Sequence, residues 1–339
     1  MPVTAEVQRE APEAYIPSDR RIAIAAGRPL PERAHGAGMF ADISGFTALT
    51  EALTDALGGH RASEALSAHL NRVFHALIAE VDRYGGSVIY FSGDAITCWF
   101  DGDDGLRATA SAFAMQDALA SEGRIEIAGG AAVTLGMKVA VTAGSARRFL
   151  VGDPEIQLAD AIAGRTIDRL ATAEGHARKG EVIADRATLG ALHGRADLGE
   201  AREEFTIVRR LTVPVAPAPL EDPLRPLTDA EIRPWLLGPV YERLEAGRGE
   251  FLAELRPAIP MFVKFGAIDF ENDPAAGAEL DAFVRRVQAV LAHYGGNVLQ
   301  LTIGDKGAYL YAIFGAPVAH EDDARRAVAA GLDVAALDP

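Results

Sequence analysis

The chain contains one cysteine, Cys98. A single thiol excludes an internal disulfide, a CxxC redox pair and a zinc cluster built on thiolates. Positive charge is also scarce: Lys and Arg total 33 against 48 for Asp and Glu, a formal net charge of −15. Such a surface repels phosphate backbones and anionic lipid, so neither nucleic acid nor a membrane surface is an expected partner. No apolar run is long enough to span a bilayer. The longest mostly apolar window, about 125–144, is interrupted by Glu126, Lys138 and several glycines. The first residues, MPVTAEVQREAPEAY, have no basic segment followed by an apolar one and do not read as a signal peptide. The expected location is the cytoplasm.

What is present is an ordinary globular composition: 49% hydrophobic and 24% charged residues in 339. That length predicts about two domains. Residues 1–36 read as a polar arm with a short helix near 18–26. An apolar run with one acid, Gly38-Met39-Phe40-Ala41-Asp42-Ile43, reads as a strand ending at Ser44-Gly45. Helical spacing then runs from about 46 to 83, interrupted near Gly58-Gly59. Residues 87–91 and 96–100 read as a hairpin around Ser92-Gly93-Asp94-Ala95, followed by a helix at about 106–120. Residues 133–143 and 147–151 read as a second strand pair turned at Ala143-Gly144-Ser145. A helix near 165–173 and strands near 182–184 and 205–209 complete the unit. The order β-α-β-β-α-β predicts an α/β (α+β) fold, with an antiparallel sheet and helices on one face. Five prolines between 214 and 226 mark a linker.

The sequence repeats itself. Met39-Phe40-Ala41-Asp42 has a counterpart in Met261-Phe262-Val263-Lys264. The segment from Val81 to Val88, containing Tyr84-Gly85-Gly86, has one from Leu291 to Val298, containing Tyr294-Gly295-Gly296. Gly93-Asp94 matches Gly304-Asp305, and the acidic turn before Arg107 matches the one before Arg325. The expected organisation is an arm 1–36, a first domain 37–210, a linker 211–257 and a second, incomplete domain 258–339.

Two acids carry the chemistry. Asp42 lies at the end of one strand and Asp94 in the hairpin beside it, so both carboxylates can reach one spot. Carboxylates with a backbone carbonyl form a hard oxygen set suited to Mg²⁺ or Mn²⁺. Ile43-Ser44-Gly45-Phe46-Thr47 is a glycine-containing turn entering a helix, where free N–H groups receive anions. Together they point to phosphoryl or nucleotidyl chemistry. On spacing alone, a cap acid and a turn former account for the two residues equally well.

The strings Phe40-Ala41-Asp42-Ile43-Ser44-Gly45-Phe46-Thr47 and Phe91-Ser92-Gly93-Asp94-Ala95 resemble the class III nucleotidyl cyclase catalytic domain. The two-copy layout resembles the tandem domains of soluble, bicarbonate-responsive adenylyl cyclases and the N-terminal part of bacterial proteins that join such domains to an ATPase and helical repeats. The resemblance implies two ferredoxin-like βαββαβ domains packed as a pseudo-two-fold pair. It implies two Mg²⁺ or Mn²⁺ ions held by Asp42, Asp94 and the carbonyl of Ile43, with phosphates on the backbone of Ser44, Gly45, Phe46 and Thr47. The implied reaction converts ATP, or GTP, into a 3′,5′-cyclic nucleotide and pyrophosphate for signal transduction. At the adenine-reading position, where the family usually has Lys, this sequence has Tyr90.

Other departures oppose activity. Asp168 and Thr172 stand where the family has an Asn and a transition-state Arg, and Lys264 replaces the first metal acid in the second copy. The chain alone is therefore expected to be inactive or very weak. The alternative is a degenerate nucleotide-binding module that regulates an attached output domain. The eight histidines form no metal pair, Arg147-Arg148 and Arg209-Arg210 read as surface, and Cys98 as core.

Overall fold

The computed structural model describes residues 12–127, 130–247, 257–304 and 307–337. The chain enters through α1 (Ser18–Ala25) and β1 (Arg33–Ser44), then α2 (Phe46–Leu57) and α3 (Gly59–Arg83). A hairpin of β2 (Ser87–Ser92) and β3 (Ala95–Asp101) leads to α4 (Leu106–Glu122). A small hairpin of β4 (Arg124–Glu126) and β5 (Ala132–Thr134) precedes β6 (Gly136–Val151) and β7 (Ala159–Ala163). Then come α5 (Arg165–His176), β8 (Val182–Asp185), α6 (Arg186–Ala191), β9 (Ala196–Arg202) and β10 (Phe205–Leu211). The linker carries α7 (Asp229–Ile232) and α8 (Gly238–Glu245). The last part is β11 (Ile259–Phe265), α9 (Ala276–His293), β12 (Asn297–Gly304), β13 (Gly307–Phe314) and α10 (Asp323–Ala335).

The first sheet has the order β2-β3-β1-β6-β8-β10-β9, with β7 pairing the far half of β6. Its β2-β3-β1-β6 portion, with α3 and α4 packed on one face, is the expected βαββαβ unit. Alternation in β1 does this: Ala37, Met39, Ala41 and Ile43 are fully buried against Val73, Leu77 and Met115. The expectation of helices on one face holds only for this unit. α5 covers the opposite face, where Ile167, Leu170 and Ala173 pack with Trp99, Ala140, Ile183 and Phe205. The sheet is also mixed, because β6 and β8 run parallel.

The strand pair expected at 133–143 and 147–151 is instead one continuous strand. Ala143, Gly144 and Ser145 stay in the ladder opposite Ala37, Gly36 and His35. Gly144 is there for space rather than for a turn. A Cβ at that position would lie 2.6 Å from Thr166 Oγ1, where the first turn of α5 crosses.

The second sheet has the order β12-β13-β11. Its register runs like that of the first: Met39 faces Cys98 and Asp42 faces Ala95, while Met261 faces Ala312 and Lys264 faces Tyr309. Close packing also recurs. A Cβ at Gly86 would sit 2.6 Å from the Phe100 ring, and one at Gly296 2.5 Å from the Phe314 ring. Arg107 donates to the Tyr84 carbonyl as Arg326, not Arg325, donates to that of Tyr294. This sheet completes its core with Phe149, Val151, Ala161 and Ala163 from the β6–β7 ribbon.

Arg147 and Arg148, expected at the surface, are 2% and 5% exposed. Arg148 donates to Asp160 and Asp19, and Arg20 donates to the same Asp160 at 2.8 Å. Arg147 pairs with Glu32 and donates to the carbonyls of Phe270 and Asp273. A fourth core of Ile16, Ile232, Trp235, Leu236, Tyr241 and Leu244 seats the linker on the N-terminal arm. Among the described residues no helix is long and apolar enough to cross a membrane.

Candidate functional site

Asp42 and Asp94 come together at one end of the β1–β3 ladder. Asp42 pairs with Ala95, and the Asp94 carbonyl accepts the Ile43 N–H at 3.3 Å. Asp94 is exposed on the β2–β3 turn, which Gly93 makes with φ 66°. The Asp42 carboxyl titrates above its usual range. Burial is the main cause and the negative charges of Asp94 and Glu174 add to it, against the opposing hydrogen bond and charge of Lys138.

Lys138 escaped the sequence reading. It lies on β6 directly opposite Asp42, with Nζ 3.3 Å from Asp42 Oδ2, and the same ammonium contacts Glu174 on α5. Burial alone would lower its pKa, but the hydrogen bonds and charges of Glu174 and Asp42 outweigh that and raise it. A lone lysine inside the apolar run Gly136-Met137-Lys138-Val139-Ala140-Val141 was the available signal, because an interior cation needs a nearby carboxylate.

The turn after Asp42 is built around Gly45, at φ 110° and ψ −5°, where a Cβ would meet Leu135 Cδ2 at 3.1 Å. No side chain caps the first turn of α2. Its leading N–H groups therefore have no side-chain acceptor, and Ser44 and Thr47 beside them are exposed. Ser44 Oγ donates to the Gly136 carbonyl, and Phe46 stacks on Phe74 at 6.1 Å. Ile43 offers no side chain to the site, being fully buried.

Tyr90 stands across β2–β3 from Thr97. Burial raises its pKa, with Thr97 opposing and Tyr309 of the second sheet adding to the rise. Thr97 Oγ1 is buried beside it without a hydrogen bond of normal geometry. Nearby, Gln300 of β12 donates to Ser92 Oγ at 3.0 Å, joining the second sheet to β2.

Asp168 lies toward the start of α5, away from Glu174, and lines a cleft of about 300 Å³ with Phe265, Gly304 and Gly307. Thr172 Oγ1 donates back to the Asp168 carbonyl. Lys264 is exposed on β11, and Asp305 lies outside the described residues.

The oxygen donors Asp42, Asp94 and the Ile43 carbonyl fit a hard divalent cation, and the raised Asp42 carboxyl would gain from one. Lys138 supplies a competing positive charge at the same oxygen. Among the described residues no cluster of three or more His, Cys, Asp or Glu side chains is placed to hold a metal, so a metal here would rest on this smaller set.

No protein-family model matches the chain. The chain is similar to adenylate cyclase type 10 of Homo sapiens, at 22% identity over 321 residues, covering 86% of this chain and 20% of that protein. It thus spans about a fifth of the length of this relative. It is 41% identical over 69 residues to adenylate cyclase type 10 of Oryctolagus cuniculus, covering 20% of this chain and 4% of that protein. An uncharacterised protein of Mycobacterium tuberculosis is 34% identical over 152 residues, covering 41% of this chain and 27% of its own length. Among solved structures, the adenylyl cyclase CyaB from P. aeruginosa superposes with a TM-score of 0.43 at 20% identity, covering 52% of this chain and 95% of that one. Over 86% of its length the chain is thus similar in sequence to an adenylate cyclase.

Proposed function

We propose that this chain is the nucleotide-binding part of a class III nucleotidyl cyclase that acts on ATP, with GTP as a weaker competitor. Residues 37–210 and 258–339 would form its two cyclase homology domains, joined by 211–257. The observation that carries the reading is the meeting of Asp42, near the end of β1, with Asp94, on the β2–β3 turn, beside the uncapped, glycine-entered first turn of α2.

In this reading Asp42, Asp94 and the Ile43 carbonyl hold two Mg²⁺ or Mn²⁺ ions. When bound, such ions neutralise the triphosphate and make a ribose 3′-hydroxyl easier to deprotonate. The backbone of Ser44–Thr47 receives the β- and γ-phosphates through free N–H groups. Lys138, held at the same corner by Asp42 and Glu174, adds a cation that phosphate oxygens can share. Tyr90 faces the base. The product would be a 3′,5′-cyclic nucleotide, with pyrophosphate as the leaving group.

The second reading is a nucleotide-binding module that regulates an attached output domain. Lys138 favours it by neutralising Asp42 without a metal, and so do Asp168 and Thr172. Titration calorimetry with Mn²⁺–ATP tests the part common to both. Asp42→Asn and Asp94→Asn should each weaken binding, and unchanged affinity in both variants rejects the site. Cyclic AMP formation with a cyclase domain that carries the missing Asn and Arg added in trans then separates the two readings: turnover supports the cyclase and none supports the module.

A further inference from the structure

A cleft of about 650 Å³ lies apart from the Asp42–Asp94 corner. Four stretches meet there: α1 with the loop after it, the β6–β7 ribbon, the linker around Trp235, and the first turn of α9. Its volume falls within the range of small-molecule sites. Arg20 and Arg148 contribute to its lining, and their charges are balanced by Asp160 and Asp19. Its apolar lining is Ile24, Leu30, Leu150, Leu158 and the edge of Trp235, with Arg28, Glu32 and Glu231 among its charged residues. Pro29, Pro234 and Pro274 line it and restrict the backbone there.

The charges at this cleft are unequal. Glu32 is committed to Arg147 and Glu231 to Arg225. Arg28 is exposed and has no carboxylate partner among the described residues. One uncompensated guanidinium beside an apolar cavity matches a single negative charge on an apolar body. A dianion would leave one charge unmatched near two carboxylates.

We propose that this cleft binds an amphiphilic monoanion of the small aliphatic or aromatic carboxylate class. Its carboxylate would lie on Arg28 and its apolar body against Ile24, Leu30 and the exposed Leu150, over the edge of Trp235. Such a ligand would tie the arm and the linker to the second sheet, independently of the nucleotide reading.

The test is calorimetric titration of the full chain with octanoate and with 1-octanol, which has the same chain and no charge. Octanoate should bind at least about tenfold more tightly, the scale of a charge-assisted hydrogen bond. Arg28→Ala should bring the two ligands to parity. Ala278→Trp, at an exposed α9 position lining the cleft, should abolish both without altering the melting curve. Equal affinity of octanoate and octanol for the wild type, no octanoate binding, or octanoate binding that survives Ala278→Trp would each overturn the proposal.

Discussion

Lys138 stands directly across the β1–β6 ladder from Asp42, and its ammonium lies 3.3 Å from the Asp42 carboxylate. The acid best placed to hold a metal is therefore already paired with a cation, which Glu174 holds from the other side. Like charges at one carboxylate oppose each other. Metal and lysine compete for Asp42, whereas a triphosphate would favour both. Lys138→Gln should accordingly raise the affinity for free Mn²⁺ by about two- to fivefold, the scale of a partly exposed ion pair. The same change should weaken Mn²⁺–ATP. Calorimetry on both ligands checks the opposite signs; a change of the same sign for both rejects the competition.

Asp42 also makes a prediction about stability. Its carboxyl is raised in the folded chain, chiefly by burial, so the native state takes up that proton before the unfolded state does. Its contribution to stability thus falls as pH rises from the unfolded value through the folded one, and is flat above. Asp42→Asn keeps the shape, removes the buried charge and leaves Lys138 its Glu174 partner. The variant should match the wild type or exceed it by up to about 1 kcal/mol at pH 7, since functional sites commonly cost stability. Urea denaturation showing a loss above about 1 kcal/mol would refute this.

Base choice should be weak. Tyr90 offers one neutral phenol where the resemblance expects a cation, and a neutral hydrogen bond contributes about 0.5–1.5 kcal/mol. ATP should be preferred over GTP by roughly tenfold at most. Competition binding that gives a ratio above about a thousand would show that other residues read the base.

Turnover by this 339-residue chain should be low or absent. In the proposed reaction the transition state would gather charge on the α-phosphoryl oxygens. Thr172, whose hydroxyl is turned back onto the Asp168 carbonyl, stands where the resemblance expects an Arg. Losing one such donor lowers the rate by about 10²–10³-fold. The assay is cyclic AMP formation from Mn²⁺–ATP. Robust turnover that is abolished by Asp42→Asn would mean that another cation serves the transition state.

The buried arginine network should be costly to break. Arg148→Met leaves Asp19 without its arginine and Asp160 with Arg20 alone, at about 3–5 kcal/mol. Arg148→Met with Asp19→Leu keeps the Arg20–Asp160 pair balanced and should recover at least half of that loss. Burial alone would raise the Asp19 carboxyl, but Arg148 and Ser87 outweigh it and lower it. Its contribution is therefore fully present above about pH 4 and lost as pH falls through the folded value. Chemical denaturation of the single and double variants from pH 7 to pH 3 measures both effects.

Much of this molecule was legible in the chain because the signals are local. Helical spacing marks α2, α3 and α4. Tyr84-Gly85-Gly86 marks the end of α3, and the β2–β3 hairpin brings Asp94 beside the strand that ends with Asp42. Each of these is set by neighbours a few residues away. What the sequence could not decide depends on partners supplied by topology. Gly144 has the look of a turn residue, yet pairing with Gly36 and the approach of Thr166 keep it inside β6. Arg147 and Arg148 look like surface residues, yet Glu32, Asp19 and Asp160 converge on them from separate segments and let them be buried. Lys138 is one lysine in an apolar strand until β1 and α5 bring Asp42 and Glu174 to it. A charge can leave water only where an opposite charge is waiting, and only the tertiary structure places those partners.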